Sequence, residues 1–150
     1  MTLARTRSRY MCYVVGFMIN STTRQILFIE KQRPDFQKGK WNGVGGKIEP
    51  GEEPVDAMVR EFREETSAVT DPRDWEHTIT LKGADFVVYF FRTFVPAFPP
   101  ITQTTDEALG FYFLKSIYED LPVLDNMRWT LPMQFIHGLE FPVQVVWDGL

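Results

Sequence analysis

The chain has 150 residues and a formal net charge of −4, and 44% of its residues are hydrophobic. This length suits one domain with a buried core, and the composition is that of an ordinary globular protein. The acidic balance argues against a nucleic-acid polymer as partner, because phosphate backbones are bound by basic surfaces. An acidic protein can still bind a small polyphosphate if a metal ion supplies the positive charge.

The single cysteine, Cys12, excludes an intrachain disulfide and a thiolate metal cluster. Its apolar neighbours predict a buried strand residue. No apolar run reaches the roughly 18 residues of a membrane span, and nothing resembles a secretory signal. We therefore expect a cytoplasmic protein with no membrane partner. Arg5, Arg7 and Arg9 predict a solvated N-terminal arm.

Strands outnumber helices in the predicted order of elements. Hydrophobic runs bounded by turn residues predict strands at residues 10–19, 25–30, 41–48, 75–81, 85–95, 109–114 and 141–147. The polar residues 31–40 hold Pro34 and Gly39 and predict a loop. No repeat or linker divides the chain, so we expect one domain over residues 1–150.

Two helices are predicted, each between groups of strands. The first covers residues 54–66, which carry apolar side chains at i, i+3, i+4 and i+7. The second covers residues 124–137, with Asp125 or Asn126 near its start and Gly138 as its stop. The apolar stripe of the first helix consists of Val55, Met58, Val59 and Phe62. Helices that occur one at a time among strands predict a mixed sheet covered by helices, which is an α+β fold.

Three glutamates share one face of the first predicted helix. Glu61, Glu64 and Glu65 lie at i, i+3 and i+4, so their carboxylates lie close together. Like charges repel, and at least one of these groups should have a raised pKa without a cation. A hard divalent cation such as Mg²⁺ would neutralise the cluster. The alternative is a solvated acidic helix face in which Arg60 and Arg63 pair with the glutamates.

A glycine-rich loop precedes this helix. Residues 41–47 read WNGVGGK, in which the glycines allow close approach of the backbone to a ligand and Lys47 suits phosphate oxygens. The spacing matches neither a P-loop nor a dinucleotide fingerprint. The loop and the acidic helix together favour a metal and phosphate site.

Residues 46–68, GKIEPGEEPVDAMVREFREETSA, resemble the Nudix box, G-x5-E-x7-R-E-U-x-E-E-x-G-U, in which U is a bulky apolar residue. The matching positions are Gly46, Glu52, Arg60, Glu61, Phe62, Glu64 and Glu65. Ser67 stands where the family has a glycine. We expect Ser67 to end the helix in the left-handed conformation at a cost of about 1 kcal/mol. The order of elements around the box also resembles the α/β/α sandwich of this family.

The resemblance implies a metal site and the residues that hold it. Mg²⁺, or Mn²⁺ in its place, would be bound by the carbonyl of Gly45 and the carboxylates of Glu61, Glu64 and Glu65. Glu107 is the best candidate for a further ligand from a later loop, and Asp106 is the alternative. By the same resemblance, Arg60 would orient the glutamates, Glu52 would support them, and Lys47 would contact phosphate.

The resemblance also implies hydrolysis by a metal-activated water, with Glu61 or Glu64 as the base. His77 and His137 lie far from the box and are not expected to be bases. The loop at residues 41–47 is similar to that of MutT-type oxidised-purine triphosphatases, which makes Asn42 a candidate for binding the base. Later residues similar to that base pocket are Asp125, Asn126 and Trp129. The alternative for these three is a helix N-cap and a core aromatic.

We therefore expect hydrolysis of a nucleoside triphosphate, such as 8-oxo-dGTP, to a monophosphate and pyrophosphate by a monomer or homodimer. Three alternatives remain. The first is a Nudix enzyme for ADP-ribose, NADH or another nucleoside diphosphate derivative, whose larger N-terminal region this chain does not match. The second is a non-catalytic Nudix module that binds nucleotides. The third, an isomerase of isopentenyl diphosphate, requires a cysteine in the active site, whereas Cys12 is predicted to be buried.

Overall fold

A computed structural model of the chain describes residues 10–148. The arm predicted at Arg5, Arg7 and Arg9 lies outside this range. The strands are β1 (Met11–Asn20), β2 (Ile26–Glu30), β3 (Trp41–Asn42), β4 (Val44–Lys47), β5 (Glu76–Lys82), β6 (Phe86–Val95), β7 (Leu109–Tyr112) and β8 (Val143–Val146). The helices are α1 (Pro54–Thr66) and α2 (Met127–Met133). Neither helix in this range is long and apolar enough to cross a membrane.

The strands form one mixed sheet. Its main order is β3-β2-β1-β6-β5-β8, with β4 also paired to β1 and β7 to β2. β1 and β6 run parallel in continuous register from Met11 opposite Phe86 to Asn20 opposite Val95, whereas β2 and β4 run antiparallel to β1. Because β1 and β6 are parallel, both strands begin at the same end of the sheet. This arrangement confirms the predicted mixed sheet.

Each face of the sheet is covered by one helix. On one face, Ala57, Met58 and Phe62 of α1 pack into a core with residues of β1, β2 and β6. On the other face, Met127 and Leu131 of α2 pack into a second core. The sheet therefore lies between two helical layers, which confirms the predicted α/β/α sandwich.

Helix α1 begins and ends where the sequence predicts. Pro54 occupies its first turn, where a backbone N–H would make no intrahelical hydrogen bond, so proline costs no bond there. Ser67 follows the last turn with φ 62°, in the left-handed region, and its N–H donates to the carbonyl of Arg63. The replacement of the family's glycine by serine therefore leaves the end of the helix in the expected conformation.

Helix α2 is shorter than the predicted 124–137. Pro132 lies inside it and has no N–H to donate, and the residues that follow form tight i to i−3 turns instead, from Gln134 to Leu131 and from Phe135 to Pro132. At the other end, Asn126 occupies the N-cap position but its side chain makes no capping hydrogen bond. The prediction was therefore right about the helix and wrong about its length.

Three smaller predictions also need correction. The strand predicted at 41–48 divides at Gly43 into β3, which pairs with β2, and β4, which pairs with β1. The strand predicted at 109–114 ends at Tyr112, because a short 3-10 helix begins at Leu114. Cys12 lies in β1 as predicted, but it is half-buried rather than buried.

Candidate active site

A cleft of about 710 Å³ opens at the end of the sheet where β1 and β6 begin. Its polar wall includes Gly45, Gly46 and Lys47 of β4, together with Lys31 and Arg33 from the loop after β2. Its apolar wall includes Tyr13 of β1 and Phe86 and Val88 of β6. The cleft therefore offers backbone amides and cations on one side and flat apolar surface on the other.

The glycines of β4 are required by close contacts. A Cβ at Gly45 would lie 1.9 Å from the backbone oxygen of Val14 on the neighbouring strand. A Cβ at Gly46 would lie 2.5 Å from the carboxyl carbon of Glu61. Gly45 therefore lets β4 pair closely with β1, and Gly46 leaves the space in which the Glu61 carboxylate lies.

Arg60 connects the acidic side chains of α1 to the segment before it. Its Nε and Nη2 donate to the two oxygens of Glu52 at 2.8 and 2.9 Å. Its Nη1 donates to Glu61 at 2.9 Å and to Glu64 at 3.2 Å, and Nη2 also reaches the carbonyl of Lys47 at 3.0 Å. One guanidinium thus hydrogen-bonds to three carboxylates and to the end of β4, and its Nη1 also lies 3.8 Å from Oε1 of Glu49.

The pKa values of these carboxyl groups differ because their surroundings differ. The hydrogen bonds from Arg60 hold the pKa of Glu52 below its usual range. Burial raises the pKa of Glu61, and the neighbouring Glu64 and Glu65 raise it further, against the opposing effect of Arg60. Burial also raises the pKa of Glu65. The expected upward shift is therefore present, although burial rather than mutual repulsion is its largest cause.

A later loop brings another buried carboxylate to the same region. Glu107 is 5% exposed, accepts a hydrogen bond from the backbone N–H of Gln32 at 2.8 Å, and lies 3.5 Å from Nζ of Lys31. Its charge contributes to the raised pKa of Glu65, so the two carboxylates are close. Asp106 instead forms an exposed ion pair with Arg33 at 2.5 Å. Of these two acids, Glu107 is the one directed toward the carboxylates of α1.

The oxygen atoms of this region are of the kinds that bind a hard divalent cation. Carboxylate oxygens from α1 and from Glu107, together with the backbone carbonyls of β4, are the ligand types that Mg²⁺ and Mn²⁺ take. As the side chains stand, residues 10–148 contain no group of three acidic, histidine or cysteine side chains gathered closely enough to hold one ion. Glu61 and Glu64 are instead paired with the guanidinium of Arg60. The Glu61 carboxylate lies beside Gly46, which lines the cleft, whereas Glu61, Glu64, Glu65 and Glu107 are not themselves among the residues that line it.

Of the side chains predicted to bind the base, the structure brings two into the cleft. Asn42 is 8% exposed and lines the cleft, and its Oδ1 accepts the N–H of Gly43 at 2.8 Å. Asn126 also lines the cleft, and its Oδ1 is buried with no hydrogen-bond partner in the described part of the chain. Asp125 is exposed and Trp129 packs against the core under α2, and neither lines the cleft.

Phe36 is a cleft residue that the sequence analysis missed. It lies in a short 3-10 helix of the loop between β2 and β3, lines the cleft, and is 75% exposed. A single aromatic residue in a polar loop gives no periodic signal, so pattern analysis cannot identify it. An exposed aromatic side chain at a cleft is typical of sites that stack a flat ligand.

The two histidines lie outside the cleft, as predicted. His77 in β5 packs against Tyr89 and Phe91 at ring distances of 5.5 and 5.3 Å. His137 is exposed and lines a second cavity that borders the opposite ends of β1 and β6, near Asn20 and Phe94. Neither imidazole can therefore act on a ligand in the cleft.

Known proteins share the sequence pattern and the fold of this chain. The family model of the NUDIX domain matches residues 11–138. Mouse 8-oxo-dGDP phosphatase NUDT18 is 34% identical over 85 residues, which are 53% of this chain and 24% of that protein. The chain thus corresponds to less than a quarter of the length of this curated relative.

Solved structures share the fold. MutT, in a structural and functional study of the Aliivibrio salmonicida and Vibrio cholerae proteins, is 26% identical with a TM-score of 0.60, covering 73% of this chain and 84% of that one. The NUDIX domain of Shewanella oneidensis NrtR, solved with ADP ribose, is 15% identical with a TM-score of 0.69, covering 83% and 86%. The family model spans residues 11–138, which shows that this chain belongs to the Nudix family.

Proposed function

We propose that the chain hydrolyses a nucleoside triphosphate to a monophosphate and pyrophosphate, with a divalent cation as cofactor and an oxidised purine such as 8-oxo-dGTP as the preferred substrate. One observation carries this proposal. The cleft is lined by Gly46 and by the two amide side chains Asn42 and Asn126. The Glu61 carboxylate lies against Gly46. A carboxylate site for a metal and polyphosphate thus adjoins polar groups suited to a base.

The metal would be held by Glu61, Glu64 and Glu65 of α1, with Glu107 and the carbonyl of Gly45 as further ligands. When bound, Mg²⁺ or Mn²⁺ would offset the charge of the phosphates and lower the pKa of a bound water. Because the net charge of the chain is −4, the positive charge that offsets the phosphates would come chiefly from the metal.

The residues of the chain would orient the phosphates and accept the proton of the attacking water. Lys47 and the backbone of the β4 glycines line the polar wall and can contact phosphate oxygens. Glu61 or Glu64 would take the proton.

Recognition of the base would use complementary amides and apolar contact. The Oδ1 of Asn42 is occupied by the N–H of Gly43, which leaves its NH₂ group to donate to a base carbonyl. Asn126 would supply the complementary acceptor once its Oδ1, which is buried and has no hydrogen-bond partner among residues 10–148, turns into the cleft. A purine that carries both a carbonyl and N–H donors satisfies this pair, while Phe36 and Phe86 offer flat surface.

A second candidate function is hydrolysis of a nucleoside diphosphate to a monophosphate and phosphate. It is favoured by the similarity to a mouse protein named 8-oxo-dGDP phosphatase. The catalytic groups would be the same, and only the leaving group would differ. The fold shared with an ADP-ribose-bound domain makes ADP-ribose a necessary member of any substrate panel.

The experiment is a hydrolysis assay of the full chain with products separated by chromatography. The substrates are the normal dNTPs, 8-oxo-dGTP, 8-oxo-dGDP, ADP-ribose and NADH, each with Mg²⁺ and with EDTA. We expect Mg²⁺-dependent release of pyrophosphate from an oxidised purine triphosphate above all other substrates. Phosphate from 8-oxo-dGDP would establish the second candidate, and selective cleavage of ADP-ribose would overturn both. Turnover unchanged by EDTA would contradict the metal site.

A further inference from the structure

Residues 102–107 run alongside the last turn of α1. The backbone N–H of Thr102 donates to the carbonyl of Thr66 at 2.9 Å, and the hydroxyl of Thr104 donates to the carbonyl of Glu64. Carbonyls at the end of a helix have no intrahelical partner, so these bonds complete the helix terminus. They also fix this segment beside the carboxylates of α1.

Thr105 makes a different kind of contact, because its hydroxyl touches a carboxylate. Its Oγ1 donates to Oε2 of Glu65 at 3.0 Å. The same oxygen accepts the backbone N–H of Glu107 at 3.1 Å. A hydroxyl has a single hydrogen to donate, so the bond to Glu65 commits it. One side chain thus joins Glu65 of α1 to Glu107 of the later loop.

The remaining contacts hold each end of this chain of bonds. The carboxylate of Glu107 is fixed by the N–H of Gln32 at 2.8 Å and by Lys31 at 3.5 Å. The bond from Thr105 uses Oε2 of Glu65, and Oε1 accepts no hydrogen bond from residues 10–148. The arrangement therefore orients one oxygen of Glu65 toward Thr105 and leaves the other available to a cation.

We propose that Thr105 is a positioning residue that sets the orientation of Glu65 relative to Glu107, so that both carboxylates reach the same divalent cation. This inference rests on the metal site of the proposed function. Thr105 itself binds neither metal nor substrate in this account. Its effect on the metal is transmitted through the two hydrogen bonds of its hydroxyl.

The experiment measures Mn²⁺ binding to the full chain without substrate, by titration followed with electron paramagnetic resonance of free Mn²⁺. Thr105→Val keeps the shape of the side chain and removes the hydroxyl, Thr105→Ala removes it by a second route, and Thr105→Ser restores it. Thr102→Val is the matched control, because it makes the same change in the same segment at a side chain without a carboxylate contact. Glu65→Gln tests the metal site itself, and circular dichroism confirms folding of each variant.

Loss of such an indirect contact typically weakens metal binding by about 10-fold or more. We expect an increase of about 10-fold in Kd for Thr105→Val and Thr105→Ala, and wild-type values for Thr105→Ser and Thr102→Val. Wild-type affinity in either folded variant that lacks the hydroxyl, or a failure of Thr105→Ser to restore binding, would overturn the role of Thr105. If Glu65→Gln nevertheless weakens binding, the metal site stands. No Mn²⁺ binding by the wild type, or no effect of Glu65→Gln, would overturn the metal site and this inference together.

Discussion

The guanidinium of Arg60 and the carboxylate of Glu52 form a two-bond fork, with Nε to Oε2 at 2.8 Å and Nη2 to Oε1 at 2.9 Å. This geometry requires a planar guanidinium, because an ammonium cannot make two parallel bonds to one carboxylate. The fork leaves Nη1 directed at the side chains of Glu61 and Glu64. Glu52 therefore acts on the candidate metal ligands indirectly, by fixing Arg60.

We expect Arg60→Lys to lower both stability and turnover, although it keeps the charge. Loss of the charged hydrogen bonds should reduce the free energy of unfolding by about 1–2 kcal/mol, measured by urea denaturation. Turnover should fall as well, because Glu61 and Glu64 lose their shared donor. Arg63→Lys is the matched control, since Arg63 is exposed and forms no ion pair with any residue in 10–148. Equal effects of the two substitutions would remove the special role of the fork.

Gly45 and Gly46 are adjacent, yet we expect alanine to act differently at each. At Gly45 the new Cβ meets the backbone of Val14, which cannot move cheaply, so Gly45→Ala should reduce the free energy of unfolding by about 3 kcal/mol. At Gly46 the Cβ meets the end of the Glu61 side chain, which can swing away. Gly46→Ala should therefore cost little stability but most of the activity.

Thermal unfolding and turnover of both glycine variants test this separation. We expect Gly46→Ala to be folded but impaired in turnover, and Gly45→Ala to be destabilised. Full activity in Gly46→Ala would show that the position of the Glu61 carboxylate beside β4 does not matter for catalysis.

Asn42→Ala should reduce discrimination between bases rather than hydrolysis itself. The side chain contributes one amide donor to the cleft, and a hydrogen bond of this kind accounts for up to about 10-fold in specificity. The ratio of kcat/KM for 8-oxo-dGTP over dGTP should fall by about that factor, with a smaller change in kcat. An unchanged ratio would mean that Asn42 does not contact the base.

His77 should make stability depend on pH below neutrality. Burial lowers its pKa from 6.5, so the unfolded chain binds this proton more tightly than the folded chain does. The stability contributed by neutral His77 is therefore complete above pH 6.5 and is lost as the pH falls below that value toward the folded pKa. The slope attributable to one group is at most about 1.4 kcal/mol per pH unit.

Urea denaturation of the wild type, His77→Asn and His137→Asn between pH 5 and pH 8 measures this slope. We expect His77→Asn to flatten the decline below pH 6.5 and the exposed His137 to have no such effect. The same decline in all three proteins would assign the pH dependence to other groups.

Helix α1 was predictable because every local signal agrees along it. Its apolar stripe, Pro54 in the first turn and the break at Ser67 all indicate the same boundaries, and the structure has them at Pro54–Thr66. Helix α2 was predicted too long because apolar spacing continues through Pro132, while the missing N–H ends the regular hydrogen bonding there. Local patterns thus define an element well where its capping residues and its periodicity coincide.

The side of the site proposed to bind metal was more predictable than the side proposed to bind the base. Its glutamates belong to one short segment with fixed spacing, so the sequence alone puts them on one helix face. The base side joins Phe36, Asn42 and Asn126 from three separate segments. Their meeting depends on how the loops close over the sheet, which explains why Phe36 was missed and why Trp129 instead lies against the core.

If the carboxylates of α1 form a hydrolytic metal site, as we propose, then Glu64→Gln should abolish most of the activity. Glu64 is exposed and its carboxylate contacts only Arg60 among the described residues, so the change removes a charge while keeping the volume and the fold. The measurement is kcat at saturating Mg²⁺ with the best substrate, together with the free energy of unfolding. We expect a fall in kcat of about 100-fold or more with unchanged stability. Turnover close to that of the wild type would contradict the proposed metal site.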